Sequence, residues 1–343
     1  MSRVRLVITS PLPDELVARI RATDARLDVV HEPDLLAPAR HACDHPPPKL
    51  DDPAARERWN ALLDEAEVLF DFGPLELAPS LAERPQLRWI QATSAGVGKL
   101  AERVGLTKSS VAVTTASGVH ARPLAEFVLL AMLMFGKDGL RLGREQREHH
   151  WELYCGEETG GKTVCVVGLG KIGREVARLA RALDARVVGT VRELRDRTPK
   201  DLGVERLEPT DRLDELLPDA DVLVLAVPHT ALTHRILDAR RLALLKPGAI
   251  LVNIARGDVV DEAALVEALR SGRLRGAALD VFEQEPLSPE SPLWDLPNVF
   301  VSPHSASNVA AENGRIVDLF QENIRRYLEG RPLLNLLDKE QLY

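Results

Sequence analysis

Three residues in the second half of the chain have the types that a proton-coupled reduction needs. Arg256 stands in VNIARGDVVDEAAL, Glu285 in LDVFEQEPL and His304 in SPHSAS, spaced by 29 and 19 residues. A guanidinium fork can grip a carboxylate and lean on the adjacent carbonyl oxygen. An imidazole can give or take the proton that accompanies a hydride, and a carboxylate behind it orients the ring and favours its charged form. Gly168-Leu169-Gly170-Lys171-Ile172-Gly173 is a G-x-G-x-x-G. It follows the apolar run Val164–Val167 and opens the amphipathic stretch Arg174–Leu183. That strand–turn–helix context makes the motif specific for a dinucleotide. Gly168 permits the tight turn, Gly170 lets the backbone approach a pyrophosphate, and Gly173 lets the helix pack closely on the sheet. Singly, each of the three side chains has an ordinary structural explanation: a hydrogen-bonded histidine, a helix-capping arginine, a solvated glutamate before Pro286. Together on a dinucleotide fold they read as dehydrogenation of a small acid.

The strand after the glycine turn should end in an acid that binds the adenosine ribose hydroxyls. Val191 stands at that place, Arg192 follows, and Glu193 is one residue further on. A guanidinium there suits the 2′-phosphate of NADP rather than NAD. The alternative is that Arg192 is a surface charge and either cofactor serves.

Alternating elements must position these groups. In the first third, Val4–Thr9, Arg26–His31, Glu67–Asp71, Leu87–Ala92 and Val111–Thr114 read as strands, with a helix over Pro13–Ala22 and a loop over His41–Pro53. Strands spaced by helices imply a parallel sheet covered on both faces. From Val119 onward, Leu124–Phe135 is apolar almost all round and reads as a helix buried on several sides. Six β/α units follow, with strands at Val164–Val167, Arg186–Val191, Val222–Val227, Ala249–Ile254, Ala277–Val281 and Val299–Ser302. Six such strands make two mononucleotide-binding halves. The three chemical residues fall at or just beyond the ends of the last three. A final helix, Ala310–Leu328, stops at Gly330 and Pro332; if it returns to the first lobe, that lobe is discontinuous. The expected domains are therefore 1–118 with 308–343 for substrate, and 119–307 for the dinucleotide.

Composition narrows the partners. The 343 residues carry 44 basic and 52 acidic side chains, a net charge of −8, which argues against nucleic acid. No apolar run approaches the roughly 18 residues of a membrane span, and the opening MSRVRLVITSPLPDE lacks a signal-peptide core. Three scattered cysteines, Cys43, Cys155 and Cys165, suit the cytoplasm and no disulfide framework. His41-Ala42-Cys43-Asp44-His45 lacks further ligands nearby, so no metal is expected. His149 and His150 beside Trp151 read as an interface arm. Trp151, Tyr154 and the Leu124–Phe135 helix form a candidate homodimer surface.

GLGKIGREVA, LLKPGAILVNIARGDVVDEAALVEAL, GAALDVFEQEPL and PLWDLPNVFVSPHSA together resemble the D-isomer-specific 2-hydroxyacid dehydrogenases. The resemblance is densest from Val164 to Ser307. It implies an α/β fold of two Rossmann-like, doubly wound parallel-sheet lobes with the active site in the cleft between them. It also implies hydride transfer between NAD(P)H and a small 2-oxo acid to give a D-2-hydroxy acid, as in NADP-using glyoxylate/hydroxypyruvate reductases. By the same resemblance Arg256 binds the substrate, His304 is the acid/base, Glu285 is its partner, and Asp280 lies near the nicotinamide. Ala95 and Gly96, in Ser94-Ala95-Gly96-Val97, look like the loop whose N–H groups meet the substrate carboxylate. Gly98 stands where many relatives carry aspartate. Arg174, Val227, Pro228, Thr233, Ile254, Ala255 and Ser305 complete the implied cofactor contacts. A formate- or phosphite-type dehydrogenase is a rival, although formate enzymes place glutamine where Glu285 stands. A cofactor-sensing corepressor on the same fold is another, and turnover distinguishes it.

Overall fold

Short β-branched runs alternating with helices produce two parallel sheets in the computed structural model, which describes residues 3–73 and 78–342. The chain divides into two units, Met1–Val119 with Asn308–Tyr343, and His120–Ser307.

The first unit contains β1 (Val4–Ile8), β2 (Leu27–His31), β3 (Val68–Phe70), β4 (Trp89–Gln91) and β5 (Ala112–Thr114). All pair in parallel in the order β2-β1-β3-β4-β5. Each lies within the segment expected of it, shorter by one to three residues because the terminal residues leave the ladder. The helix Asp14–Arg21 opens on two acids and closes on two arginines, which suits its dipole. The helix Glu312–Leu328 returns to this unit and buries Ile316, Val317, Phe320 and Ile324 with Leu6, Ile8, Phe70 and Trp89. The Phe320 ring lies 5.1 Å from Phe70 and 5.2 Å from Trp89. Cutting it to alanine would cost about 3–5 kcal/mol. Gly330, at φ +66°, ends that helix.

The second unit contains β6 (Thr163–Val167), β7 (Arg186–Val191), β8 (Arg206–Pro209), β9 (Val222–Leu225), β10 (Ala249–Asn253), β11 (Leu274–Leu279) and β12 (Val299–Val301). Their order is β12-β11-β10-β9-β6-β7-β8. The sheet thus has seven strands where six are expected from the sequence. The extra one, β8, reads RLEP, buries only Leu207, and pairs with β7 alone. An edge strand tolerates charge and proline, so it carries no apolar run to betray it. The order reverses between β6 and β9, and the glycine turn leaves β6 there.

The helix Ala121–Gly136 also corrects an expectation. Leu124, Phe127, Val128, Met132 and Phe135 are buried, but Leu130 and Leu133 are 46% and 42% exposed. It is buried along one broad face, not all round. Among the described residues no helix is long and apolar enough to cross a membrane.

Candidate active site

The turn after β6 is built by close approach. Gly168 has φ +98°, and a Cβ there would lie 2.7 Å from the Ala226 carbonyl oxygen. A Cβ on Gly173 would lie 2.1 Å from the Gly168 oxygen, so the helix Lys171–Arg181 can begin only with glycine at that position. Around Gly170 no atom stands within 4 Å of where a Cβ would be. The open backbone at a helix N-terminus fits a dinucleotide pyrophosphate. Lys171 and Arg174 are exposed beside it, and Arg174 Nε donates to the Gly170 oxygen at 3.3 Å. Leu169 is buried, and its N–H reaches the Thr190 oxygen at 2.8 Å; Ile172 packs partly against the same core.

At the end of β7 the Val191 side chain enters that core. Arg192 and Glu193 are exposed, and Glu193 accepts from Arg195 Nε at 3.1 Å. After β9, Val227 is buried and Pro228 exposed. Thr233 Oγ1 donates to the Pro228 oxygen at 2.6 Å and accepts from Thr230 N–H at 2.8 Å, closing that loop.

His304 and Glu285 meet. His304 Nδ1 lies 2.7 Å from Glu285 Oε2, both side chains partly exposed. Glu285 Oε1 in turn accepts the Phe282 N–H at 3.1 Å, so both carboxylate oxygens are engaged. His304 sits at φ +51°, a left-handed conformation that costs a non-glycine residue about 1–2 kcal/mol. Asp280, 2% exposed, offsets it. Its Oδ1 accepts from Ser302 Oγ at 2.6 Å and from the Ser305 and Ala306 N–H groups at 2.8 and 2.9 Å. Its backbone oxygen accepts the His304 N–H at 2.9 Å. In this structure the Asp280 carboxylate organises the loop that presents His304.

Arg256 lies on a separate turn after β10. Its guanidinium donates to the Ala255 oxygen at 2.6 Å and makes no hydrogen bond or ion pair with His304 or Glu285. Ile254 and Ala255 are buried behind it. Three residues that sequence reasoning did not single out hold this turn. Asn253, 1% exposed, accepts from Ala255 N–H and donates to the Arg256 oxygen, each at 3.1 Å. Gly257 lies so close to the next loop that a Cβ would stand 1.8 Å from the Phe282 carbonyl carbon. Glu262 accepts the Glu283 N–H at 3.1 Å. Burial, with the Glu283 charge added, pushes the Glu262 carboxyl above its ordinary range. The sequence signals were a buried-strand asparagine and a glycine after arginine, both common without any role.

In the first unit, the Ser94–Val97 segment follows β4. The N–H groups of Ala95 and Gly96 have no acceptor among the described residues. A Cβ at Gly98 would lie 1.8 Å from the Leu342 oxygen, which accounts for glycine at this position. In the HACDH segment, Asp44 pairs with Arg40 and His45 with Ser10, while His41 lies 3.5 Å from the Cys43 sulfur. Glu145, His150 and Glu152 cluster at the surface, but Arg141 already pairs with both carboxylates.

Residues 129–306 match the family described as D-isomer specific 2-hydroxyacid dehydrogenase, NAD binding domain. The chain belongs to the D-isomer-specific 2-hydroxyacid dehydrogenases. It is 34% identical over 262 residues to a glyoxylate reductase of Korarchaeum cryptofilum, covering 75% of this chain and 77% of that one. A D-3-phosphoglycerate dehydrogenase of Mycobacterium tuberculosis is 35% identical over 278 residues, covering 80% of this chain and 52% of its own. Among solved structures, the NADPH-dependent glyoxylate/hydroxypyruvate reductase of Sinorhizobium meliloti, crystallised with NADP and sulfate, aligns with TM-score 0.78 at 28% identity. That alignment covers 99% of this chain and all of the other. As a member of this dehydrogenase family the protein is an NAD(P)-dependent oxidoreductase acting on 2-hydroxy or 2-oxo acids.

Proposed function

We propose that this dehydrogenase reduces a small, glyoxylate- or hydroxypyruvate-like 2-oxo acid to the D-2-hydroxy acid and prefers NADPH. The observation that carries the chemistry is the 2.7 Å contact between His304 and Glu285 at the ends of adjacent elements. With Glu285 accepting from Nδ1–H, the Nε2 of His304 is the nitrogen left to give its proton to the substrate's keto oxygen. The Arg256 fork grips the substrate carboxylate and polarises the adjacent carbonyl. The free N–H groups of Ala95 and Gly96 suit a carboxylate. NAD(P)H, when bound, supplies the hydride. Leu169, Ile172, Arg174, Val227, Pro228, Thr233, Ile254, Ala255 and Ser305 are proposed around it with the three glycines.

The NADPH preference rests on the end of β7. Val191 offers no carboxylate to ribose hydroxyls, Glu193 is taken by Arg195, and Arg192 is exposed. The crystallised S. meliloti relative holds NADP. The deciding experiment measures kcat/KM for glyoxylate and hydroxypyruvate with NADPH and with NADH. Binding of cofactor without turnover would replace the enzyme reading with a sensor.

We further propose a cytoplasmic homodimer in which a second copy covers Leu130, Leu133, Leu142, Trp151 and Leu153. Trp151 and Leu153 are 90% and 89% exposed in the single chain, a cost in apolar surface that self-association would remove. Sedimentation of the protein beside Trp151→Glu tests it: a monomer in both samples refutes the dimer.

A further inference from the structure

The glycine turn after β6 is held from the neighbouring strand by residues that its own motif does not contain. Gly189, Thr190 and Val191 close β7, which pairs with β6 in the sheet. Gly189 makes room: a Cβ there would stand 2.6 Å from the Val166 oxygen and 2.9 Å from Leu169 Cδ1. The buried Leu169 side chain of the turn occupies the space that a side chain at position 189 would need. Thr190 then grips the turn twice. Its backbone oxygen accepts the Leu169 N–H at 2.8 Å, and its Oγ1 accepts the Gly168 N–H at 3.3 Å. Thr190 is 0% exposed, so bulk water does not stand in for that hydroxyl once it is removed.

A second hydroxyl extends the contact. Thr210 follows β8, the edge strand whose Pro209 pairs with Val191. Thr210 Oγ1 donates to the Val191 oxygen at 3.0 Å and lies 3.3 Å from Thr190 Oγ1. A hydroxyl has one proton to give. With the Thr210 proton on the Val191 oxygen, the contact between the two threonines is filled by the Thr190 proton. The bonds then run one way, from Gly168 N–H to Thr190, from Thr190 to Thr210, and from Thr210 to Val191. This path joins the first glycine of the turn to the end of β7. Those are the two places where a dinucleotide fold meets the pyrophosphate and the adenosine ribose. A buried chain of satisfied hydrogen bonds makes rigid what it connects.

We propose that Thr190 and Thr210 are positioning residues for the cofactor, whose hydroxyls fix the glycine turn and the end of β7 at the spacing a dinucleotide bridges. The assignment rests on the glycine turn as the pyrophosphate site. It is independent of the NADPH preference, because NADPH and NADH share the pyrophosphate.

The test titrates NADPH and NADH by fluorescence into the parent, Thr190→Val, Thr190→Ser, Thr210→Val and the double valine variant, with Tm measured beside each. Thr190→Val should weaken both cofactors alike by about tenfold, because it leaves the Gly168 N–H unpaired. Thr190→Ser, which keeps the hydroxyl, should stay within about twofold of the parent. Thr210→Val should cost about threefold, and the double variant less than the product of the two factors, since both break one chain. Unchanged affinities in Thr190→Val overturn the proposal, whatever happens to Tm, because the hydroxyls then serve only the sheet. An equal loss in Thr190→Ser overturns it too. Should Thr190→Val fail to fold, Thr210→Val at its half-buried position decides in the same way. A parent that binds neither cofactor overturns the assignment of the turn itself, a distinguishable failure.

Discussion

Gly257→Ala should cripple the enzyme through a contact that involves no reacting atom. The new Cβ would stand 1.8 and 1.9 Å from the carbonyl carbon and oxygen of Phe282, and 2.3 Å from the Glu283 nitrogen. Non-bonded carbons rest at roughly 3.5–4.0 Å, so one of the two loops must retreat by about 1.5–2 Å. Neither can yield by swinging a side chain, since both faces of the contact are backbone. One loop carries Arg256 immediately before the glycine; the other leads, through the Phe282 N–H bond, to Glu285 and so to His304. Overpacking of this kind costs about 1–3 kcal/mol in stability. A misplacement near 1 Å in a reacting constellation costs about 10²-fold in rate, or about 2.7 kcal/mol of barrier. We therefore expect kcat/KM for glyoxylate with NADPH to fall about 10²-fold per folded molecule, with a lower Tm. Gly314→Ala is the matched control, because nothing lies within 4 Å of its Cβ and it sits inside a helix. It should raise stability by up to about 1 kcal/mol. A Gly257→Ala enzyme with an unchanged Tm and kcat/KM within about threefold of the parent would refute the reasoning.

Four further outcomes are expected. His304→Ala should lower kcat by about 10²–10⁴-fold, and Glu285→Gln by a smaller factor near tenfold, since the amide keeps a hydrogen bond but not the charge; a near-parental kcat for His304→Ala sinks the acid/base role. Val191→Asp with Arg192→Ala should erase or reverse an NADPH preference of about one to two decades, seen mainly in KM, whereas a parent that favours NADH rules the phosphate contact out. Because the Glu262 carboxyl is raised by burial, the folded protein holds its proton more tightly than the unfolded chain, and ionised Glu262 costs stability as pH rises from the unfolded carboxyl value through the folded one. Glu262→Gln should then be more stable than the parent at pH 7 to 8 and level with it below about pH 4, by urea unfolding; a constant difference across that range removes the electrostatic explanation. Burial pushes the Cys165 thiol up to about 12, so a thiol reagent should modify native Cys155 and Cys43 and spare Cys165, and three equivalents consumed at one rate would contradict this.

The alternation of apolar runs with amphipathic stretches was enough to specify parallel α/β sheets, and G-x-G-x-x-G after a strand was enough to specify a tight strand-to-helix turn. Both are local patterns whose period or spacing is written in consecutive residues. That Arg256, Glu285 and His304 follow strands of one sheet was also legible, because strand-end positions follow from where strands stop. The edge strand β8 was not legible: its neighbours ask little of it, so charge and proline occupy positions that pattern reading assigns to loops. Nor was the one-sided burial of the Ala121–Gly136 helix, since an apolar residue reads the same whether it faces the core or awaits another surface.

What only the tertiary structure decided was how the chemical residues are held. Asp280 and the 302–306 loop lie in separate segments, and their joining through four hydrogen bonds is a property of adjacent strands in the sheet. The glycine at 257 looks like any glycine until the Phe282 backbone is seen against it, and the glycine at 98 until Leu342 is. His45 reads in sequence as one histidine of a surface cluster; only the path of the chain brings it to Ser10, 35 residues earlier. A sequence records which groups a chain owns, and local periodicity records which elements they ride on. Contacts between distant segments depend on strand order and backbone proximity, which no short window of residues contains.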